Sequence, residues 1–237
     1  MRNQNIAEIF WFNDYYHSLK STRELFLFVN PKYSVMKRFI AITSLILMMP
    51  LAVFTQELTD LDFISPFHEN LAAVKKGDQW GFIDTRGILV IDFRSDLVPT
   101  GMNGSKYPMF NSGRCLISNE VDGISYFGYI NYQGTTVLAP QYLNATPFND
   151  GLAVILKLFR NELGQNDVLD KAMIDYNYME LAINPNGEVV HYISDDPTHI
   201  TLSKDFMDGP PEITSKIISK GLIAIKDNNN KWSVKKV

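Results

Sequence analysis

The residues that could do chemistry are few, and their spacing does not suit it. Gly123-Ile124-Ser125-Tyr126-Phe127-Gly128 comes nearest to a nucleophile elbow, but it reads G-x-S-x-x-G and lies within a hairpin pattern. An elbow needs a strand-to-helix turn that holds the serine clear of the sheet. Gly101-Met102-Asn103-Gly104-Ser105-Lys106 ends like a phosphate loop, yet it lacks the four-residue interval and a following helix. Asp227-Asn228-Asn229-Asn230 opens like a calcium loop, without the glycine at the sixth place or the glutamate at the twelfth. A hairpin turn accounts for it better. His17, His68, His191 and His199 are scattered without ligand spacing.

Carboxylates could serve as an acid and base pair on a sugar. Asp84 has Asn131 and Asn184 as counterparts, and a position that accepts either acid or amide is doing turn chemistry. Asp195-Asp196 precedes Pro197 and reads as loop. Trp80, Phe82, Phe127, Tyr129 and Trp232 could form an aromatic platform for a glycan, but alternate positions on strands favour core packing. Cys115 is the single cysteine, so no intramolecular disulfide is possible, and it reads as a small buried hydrophobe. No catalytic, cofactor-binding or metal-binding set is expected, and the reading is non-enzymatic.

Composition narrows the partners. With 46% hydrophobic and 20% charged residues the chain is globular rather than disordered. Its net charge of −4 contains no run of five like charges. That gives no basic footprint for nucleic acid and no polybasic run for anionic lipid.

The informative pattern is an internal repeat. Phe67-x-x-Asn70-Leu71-Ala72-Ala73-Val74 returns as Phe110-x-x-Gly113-Arg114-Cys115-Leu116-Ile117 and as Phe148-x-x-Gly151-Leu152-Ala153-Val154-Ile155. A poorer fourth frame is Ile218-x-x-Gly221-Leu222-Ile223-Ala224-Ile225. A second element follows the first frame, running from Trp80-Gly81-Phe82-Ile83-Asp84 through Gly87 into Ile88-Leu89-Val90-Ile91. In the second copy it runs from Phe127-Gly128-Tyr129-Ile130-Asn131 through Gly134, and in the third from Ala182-Ile183-Asn184-Pro185 through Gly187. Only Trp232 stands for it in the fourth. Asp or Asn leads each turn by bonding the backbone two residues on, and glycine closes it in a left-handed conformation. Flanking Ile, Val, Tyr and Phe complete a β-hairpin.

These residues resemble the WG-repeat family, whose Trp-Gly pair stands here as Trp80-Gly81. The resemblance is close over residues 60–142 and weak beyond. Phe127 replaces the tryptophan in the second copy, and the third lacks the pair. It implies a β-repeat protein, often exported from bacteria, with no catalytic residues to transfer.

The expected fold is all-β: tandem three-stranded meanders at about 60–93, 107–142, 143–193 and 212–237. One such meander cannot bury its apolar face alone and must stack on its neighbours. Three to four copies are few for a closed ring, so an open or partly closed array is expected, with a propeller-like ring as the alternative. The third copy carries a long polar insertion near residues 158–177, expected to project, with a helical turn at 170–172. Irregular stretches are expected at 94–108 and 195–211.

Met36-Lys37-Arg38 followed by an apolar run from Phe39 to Phe54 reads as a secretory signal, with cleavage after Thr55. A single membrane anchor is the alternative. Residues 1–35 then read as an upstream mis-assigned start or a cytosolic extension. The expected protein is periplasmic or extracellular, without a lasting membrane anchor once cleaved. It would be an interaction or scaffold module whose partner is a protein, or alternatively a glycan. A secreted glycan-acting or hydrolytic protein using loop carboxylates is the competing reading, and a structural subunit of an envelope assembly is a third. N-terminal sequencing of the native exported protein should begin near Gln56 and return no peptide from residues 3–32.

Overall fold

The computed structural model describes residues 58–102, 105–166, 171–227 and 229–236. The expected signal at 36–55 and the stretch before it fall outside these residues. The described chain is all antiparallel β, its sheets open rather than closed on themselves, with no α-helix among the described residues.

The first copy is a four-stranded meander of β1 (Phe63–Ile64), β2 (Leu71–Lys76), β3 (Gln79–Asp84) and β4 (Leu89–Arg94). The stretch expected to be irregular at 94–108 instead forms a two-stranded ribbon, β5 (Thr100–Met102) with β6 (Ser105–Tyr107). Just before it, Val98 N donates to Leu116 O and Ser118 N to Asp96 O, which stitches the first copy to the second. The second copy is β7 (Cys115–Val121), β8 (Ile124–Ile130) and β9 (Thr136–Ala145). The third is β10 (Ala153–Asn166), β11 (Lys171–Ile183) and β12 (Val189–Tyr192), and it shares one sheet with the second because β9 pairs with β10. The segment expected to link copies adds β13 (Thr198–His199) to that sheet against β11, and a short 3-10 turn at Lys204–Phe206. A three-stranded sheet of β14 (Ser215–Ser219), β15 (Leu222–Lys226) and β16 (Trp232–Lys236) forms the fourth copy.

The core is serial. Phe110 of the second copy lies edge-on to Phe82 of the first at 4.9 Å, and Phe148 of the third packs on Tyr129 of the second at 4.8 Å. Both phenylalanines are about fully buried, at 1% and 2% exposed. Their counterpart Phe67 is 51% exposed. Burying such a ring contributes roughly 1.5–3 kcal/mol, and the aromatic pairing about 0.5–1.5 more. Each copy therefore supplies the knob that completes the core of the copy before it.

The three hairpin turns match the sequence reading. Gly87, Gly134 and Gly187 have φ of 78°, 73° and 83°. The side-chain oxygen of Asp84, Asn131 or Asn184 accepts from the backbone N–H two and four residues on, at 2.9 to 3.1 Å. Asp227 does the same for Asn229 and Lys231, so the fourth copy keeps this turn chemistry with Asn230 left-handed in place of glycine. The frame of that copy is offset from the sequence reading. A bulge between Ile217 and Ser219 makes Ile217, not Ile218, the residue buried against Ala182 of the third copy.

The glycine of the Trp-Gly pair has a different cause. The strand beyond it bulges across its Cα, so a Cβ on Gly81 would stand 2.9 Å from Ile91 O, and one on Gly128 2.6 Å from Pro140 N. The turn glycines also differ among themselves. A Cβ on Gly134 or Gly187 would press on Ile91 or Leu138 of the preceding copy, whereas Gly87 has nothing within 4 Å. Chemical denaturation should therefore rank the alanine variants. Gly87→Ala should cost about 1–2 kcal/mol, the left-handed penalty alone. Gly134→Ala and Gly187→Ala should cost more, and Gly128→Ala, blocked by backbone, the most at about 3 kcal/mol or above. Equal costs at all four positions would show that contact between copies does not matter.

Candidate interaction site

Two features stand out beyond the core: a row of linked turns and one long hairpin. In the row, Glu69-Asn70, Ser112-Gly113 and Asp150-Gly151 are two-residue turns with both φ values positive, the primed geometry that suits antiparallel strands. Each turn grips the next. Glu69 accepts from the N–H of Ser112 and of Gly113, and Ser112 Oγ accepts from the N–H of Gly151. His68 Nδ1 lies 2.7 Å from Phe110 O, and Asn149 Nδ2 donates to Ile217 O. Tyr132 closes the first step by donating its hydroxyl to Glu69 at 2.8 Å. Burial and the adjacent Glu69 carboxylate push the Tyr132 phenol up to about 12. Two shallow clefts flank this junction, one at Glu69, Asn70, Leu71 and Tyr132 and the other between β4 and the Gln133-Gly134 turn.

The insertion of the third copy is a hairpin rather than an irregular loop. β10 and β11 pair continuously from Ala153↔Ile183 outwards to Asn166↔Lys171, with one bulge at Glu162 and Gly164. Lys171 and Ala172 lie in β11, so the helical turn expected there is a strand; Asp170 lies outside the described residues. The base is held on both sides. β9 pairs with Ile155, Leu156 and Lys157, while β13 pairs with Asn177 and Tyr178. Leu158 and Tyr178 pack into an apolar cluster with Ile200, Leu202, Met207 and Ile213. The insertion as read, 158–177, thus begins inside the core, and only the portion beyond Phe159 and Asn177 leaves it. At the outer end Leu163 is 66% exposed, and Met173 and Ile174 are exposed with it.

The residues weighed for chemistry disperse. Asp175 pairs with His199 Nδ1 at 2.8 Å, while His191 sits in β12 opposite Ala182. Asp167 and Asp170, the other aspartates of this insertion, lie outside the described residues. Among the described residues no three His, Cys, Asp or Glu side chains stand close enough to hold a metal. Ser125 lies in β8 opposite Glu120. Cys115 is buried, and that burial pushes its thiol up. Four of the five aromatics, Trp80, Phe82, Phe127 and Tyr129, are core residues, but Trp232 is 52% exposed.

Part of this repeat pattern matches one family model, that of the WG containing repeat. Its model matches residues 60–80 and 127–157. The chain carries WG repeats. No curated protein and no solved structure matches it. The matched stretches cover the frame and Trp80 of the first copy, then the second element of the second copy with the start of the third.

The third copy has changed its chemistry. Glu180 stands where the first and second copies carry Trp80 and Phe127, and it is 5% exposed. Its carboxylate accepts from both the backbone N–H and the hydroxyl of Thr214, and its own N–H donates to Ser194 Oγ. Thr214 O in turn accepts from Lys226 N, so this acid ties the third copy to the fourth. Sequence reasoning passed over Glu180 because the third copy looked merely eroded. Its place one residue before the Gly81 and Gly128 counterpart was the available signal.

The Tyr132–Glu69 contact between the first two copies predicts a pH effect. An unfolded chain ionises this phenol near 10, whereas the folded one holds its proton to about 12. Between those values the unfolded state has fewer protons bound, so stability falls as pH rises. Denaturation at about pH 9 and about pH 11 should show Tyr132→Phe losing less stability than the wild type across that interval.

Proposed function

We propose that this WG-repeat protein is a non-enzymatic interaction or scaffold module, exported to the periplasm or cell surface, which captures a protein partner on the β10–β11 hairpin. The observation that carries the reading is the outer part of that hairpin. Its base is fixed by β9, β13 and a buried cluster, while its end offers Leu163, Met173 and Ile174 to solvent. Insertions in repeat arrays map to one face, often the binding face, because the array bears the cost of folding and leaves the insertion free to vary. Exposed apolar side chains on a rigid stalk suit contact with another protein better than capture of a small polar molecule. Arg160 and Glu162, exposed beside them, supply charges at the rim of such a contact.

Removing residues 160–176 and joining Phe159 to its strand partner Asn177 through an Asp-Gly turn, as in the β7–β8 connection, tests this. Leu156, Leu158, Tyr178 and Leu181 remain, so thermal melting should change little, loop shortening being worth only fractions of a kcal/mol. Capture of partners from envelope extract should fall sharply relative to the wild type. Unfolding of the shortened protein would make the outer hairpin a core element, and unchanged capture would place the binding face elsewhere.

A further inference from the structure

The fourth copy differs from the others in charge and in what it leaves open. Between residues 215 and 236 stand six lysines and one aspartate, in a chain whose net charge is −4. The aspartate, Asp227, is occupied in its own turn, where its Oδ1 accepts from two backbone N–H groups. Strand register places side chains on one face of this sheet. Lys216 pairs with Ala224 and Ala224 with Val234; Lys226 pairs with Trp232, and Leu222 with Lys236. That face therefore combines Trp232, Val234 and Leu222 with Lys216, Lys226 and Lys236. Trp232 and Val234 are 52% and 59% exposed, and Leu222 is also exposed. The Lys216 ammonium sits 4.6 Å from the centre of the Trp232 ring.

The same positions in the first copy are covered. Leu71, Ala73, Trp80 and Phe82 correspond to Leu222, Ala224, Trp232 and Val234 by the same strand pairing, and there they pack under Phe110, Cys115 and Ile117 of the second copy. An open face of this kind calls for an occupant. A second copy docked through the same face would bring two lysine clusters together. Docking against the first copy would need its Ala72 and Val74, which are already fully buried. What complements the face is a surface that is negatively charged and apolar beneath. Lysines with apolar stems around an exposed tryptophan and aliphatic side chains have the chemistry of an interfacial membrane contact, with rings and stems at the headgroup level and ammonium groups among anionic headgroups.

We infer that the outer face of the β14–β16 sheet binds the surface of an anionic lipid bilayer. This is independent of the hairpin reading, since it rests on different residues and a different partner. The lysines come from three strands, which is why no basic run marks them in the sequence.

The test uses the full chain and vesicles of phosphatidylcholine with or without about one-third phosphatidylglycerol. Binding should require the anionic lipid and weaken as salt rises. Acyl chains brominated near the headgroup should quench fluorescence in the wild type, and Trp232→Phe should remove that component. The apolar run at residues 39–54 is common to every variant, so only differences between variants are read. Replacing Lys216, Lys226 and Lys236 together by Gln should weaken binding about a hundredfold, with unchanged circular dichroism, from the usual contribution of a lysine near such a surface. Equal binding by the triple variant, or no quenching assignable to Trp232, would overturn the inference. So would binding to polyglutamate or a sulfated polysaccharide without binding to vesicles, which would make the occupant an acidic polymer. Self-association lost in the triple variant, without vesicle binding, would make it a second copy.

Discussion

One contact repeats along the molecule and everything else is arranged around it: an aromatic ring from one copy pressed into the open face of the copy before. Phe110 on Phe82 and Phe148 on Tyr129 are the two full instances. A three-stranded meander has an apolar face and too little of itself to cover it, so its stability has to come from a neighbour. The glycines follow from this closeness. Gly134 and Gly187 are needed where a turn approaches the strand of the preceding copy, and Gly81 and Gly128 where a bulged strand crosses its partner. The row of polar turns, with Glu69 and Ser112 each holding the next, runs alongside the aromatic contacts and fixes the same succession.

Much of this was legible in residue order. The Asp84, Asn131 and Asn184 turns could be read because their chemistry is local: a side-chain oxygen, two backbone N–H groups and a left-handed glycine lie within five residues. The hairpin of β10 and β11 was less visible because the outer part of β10, from Arg160 to Asn166, is polar but for Leu163, which reads as loop. Yet Ile174, Tyr176 and Tyr178 alternate with Asp175 and Asn177, a strict period of two that a strand imposes.

What could not be read was whatever depends on distant partners. The role of Glu180 exists only because Thr214 is brought beside it. The displaced frame of the fourth copy comes from one bulge, which shifts Ile217 into the place a regular count gives to Ile218. The basic face of that copy is assembled from three strands, so a search for charge runs passes over it. Exposure of Trp232 was hidden for the same reason, since an aromatic at a strand position looks alike whether or not a neighbour covers it.

Glu180 also sets how the molecule comes apart. The first three copies are joined by interlocked rings, the last by aliphatic side chains and a carboxylate that accepts from Thr214. A linear array responds to stress through its weakest junction, because each unit touches only its neighbours. Here the junction without an aromatic lock is the one at residue 214, so the terminal sheet is expected to detach first, in an opening far smaller than global unfolding. Whatever holds that sheet from outside the chain thus bears directly on its most labile seam, while the aromatic-locked part stays closed.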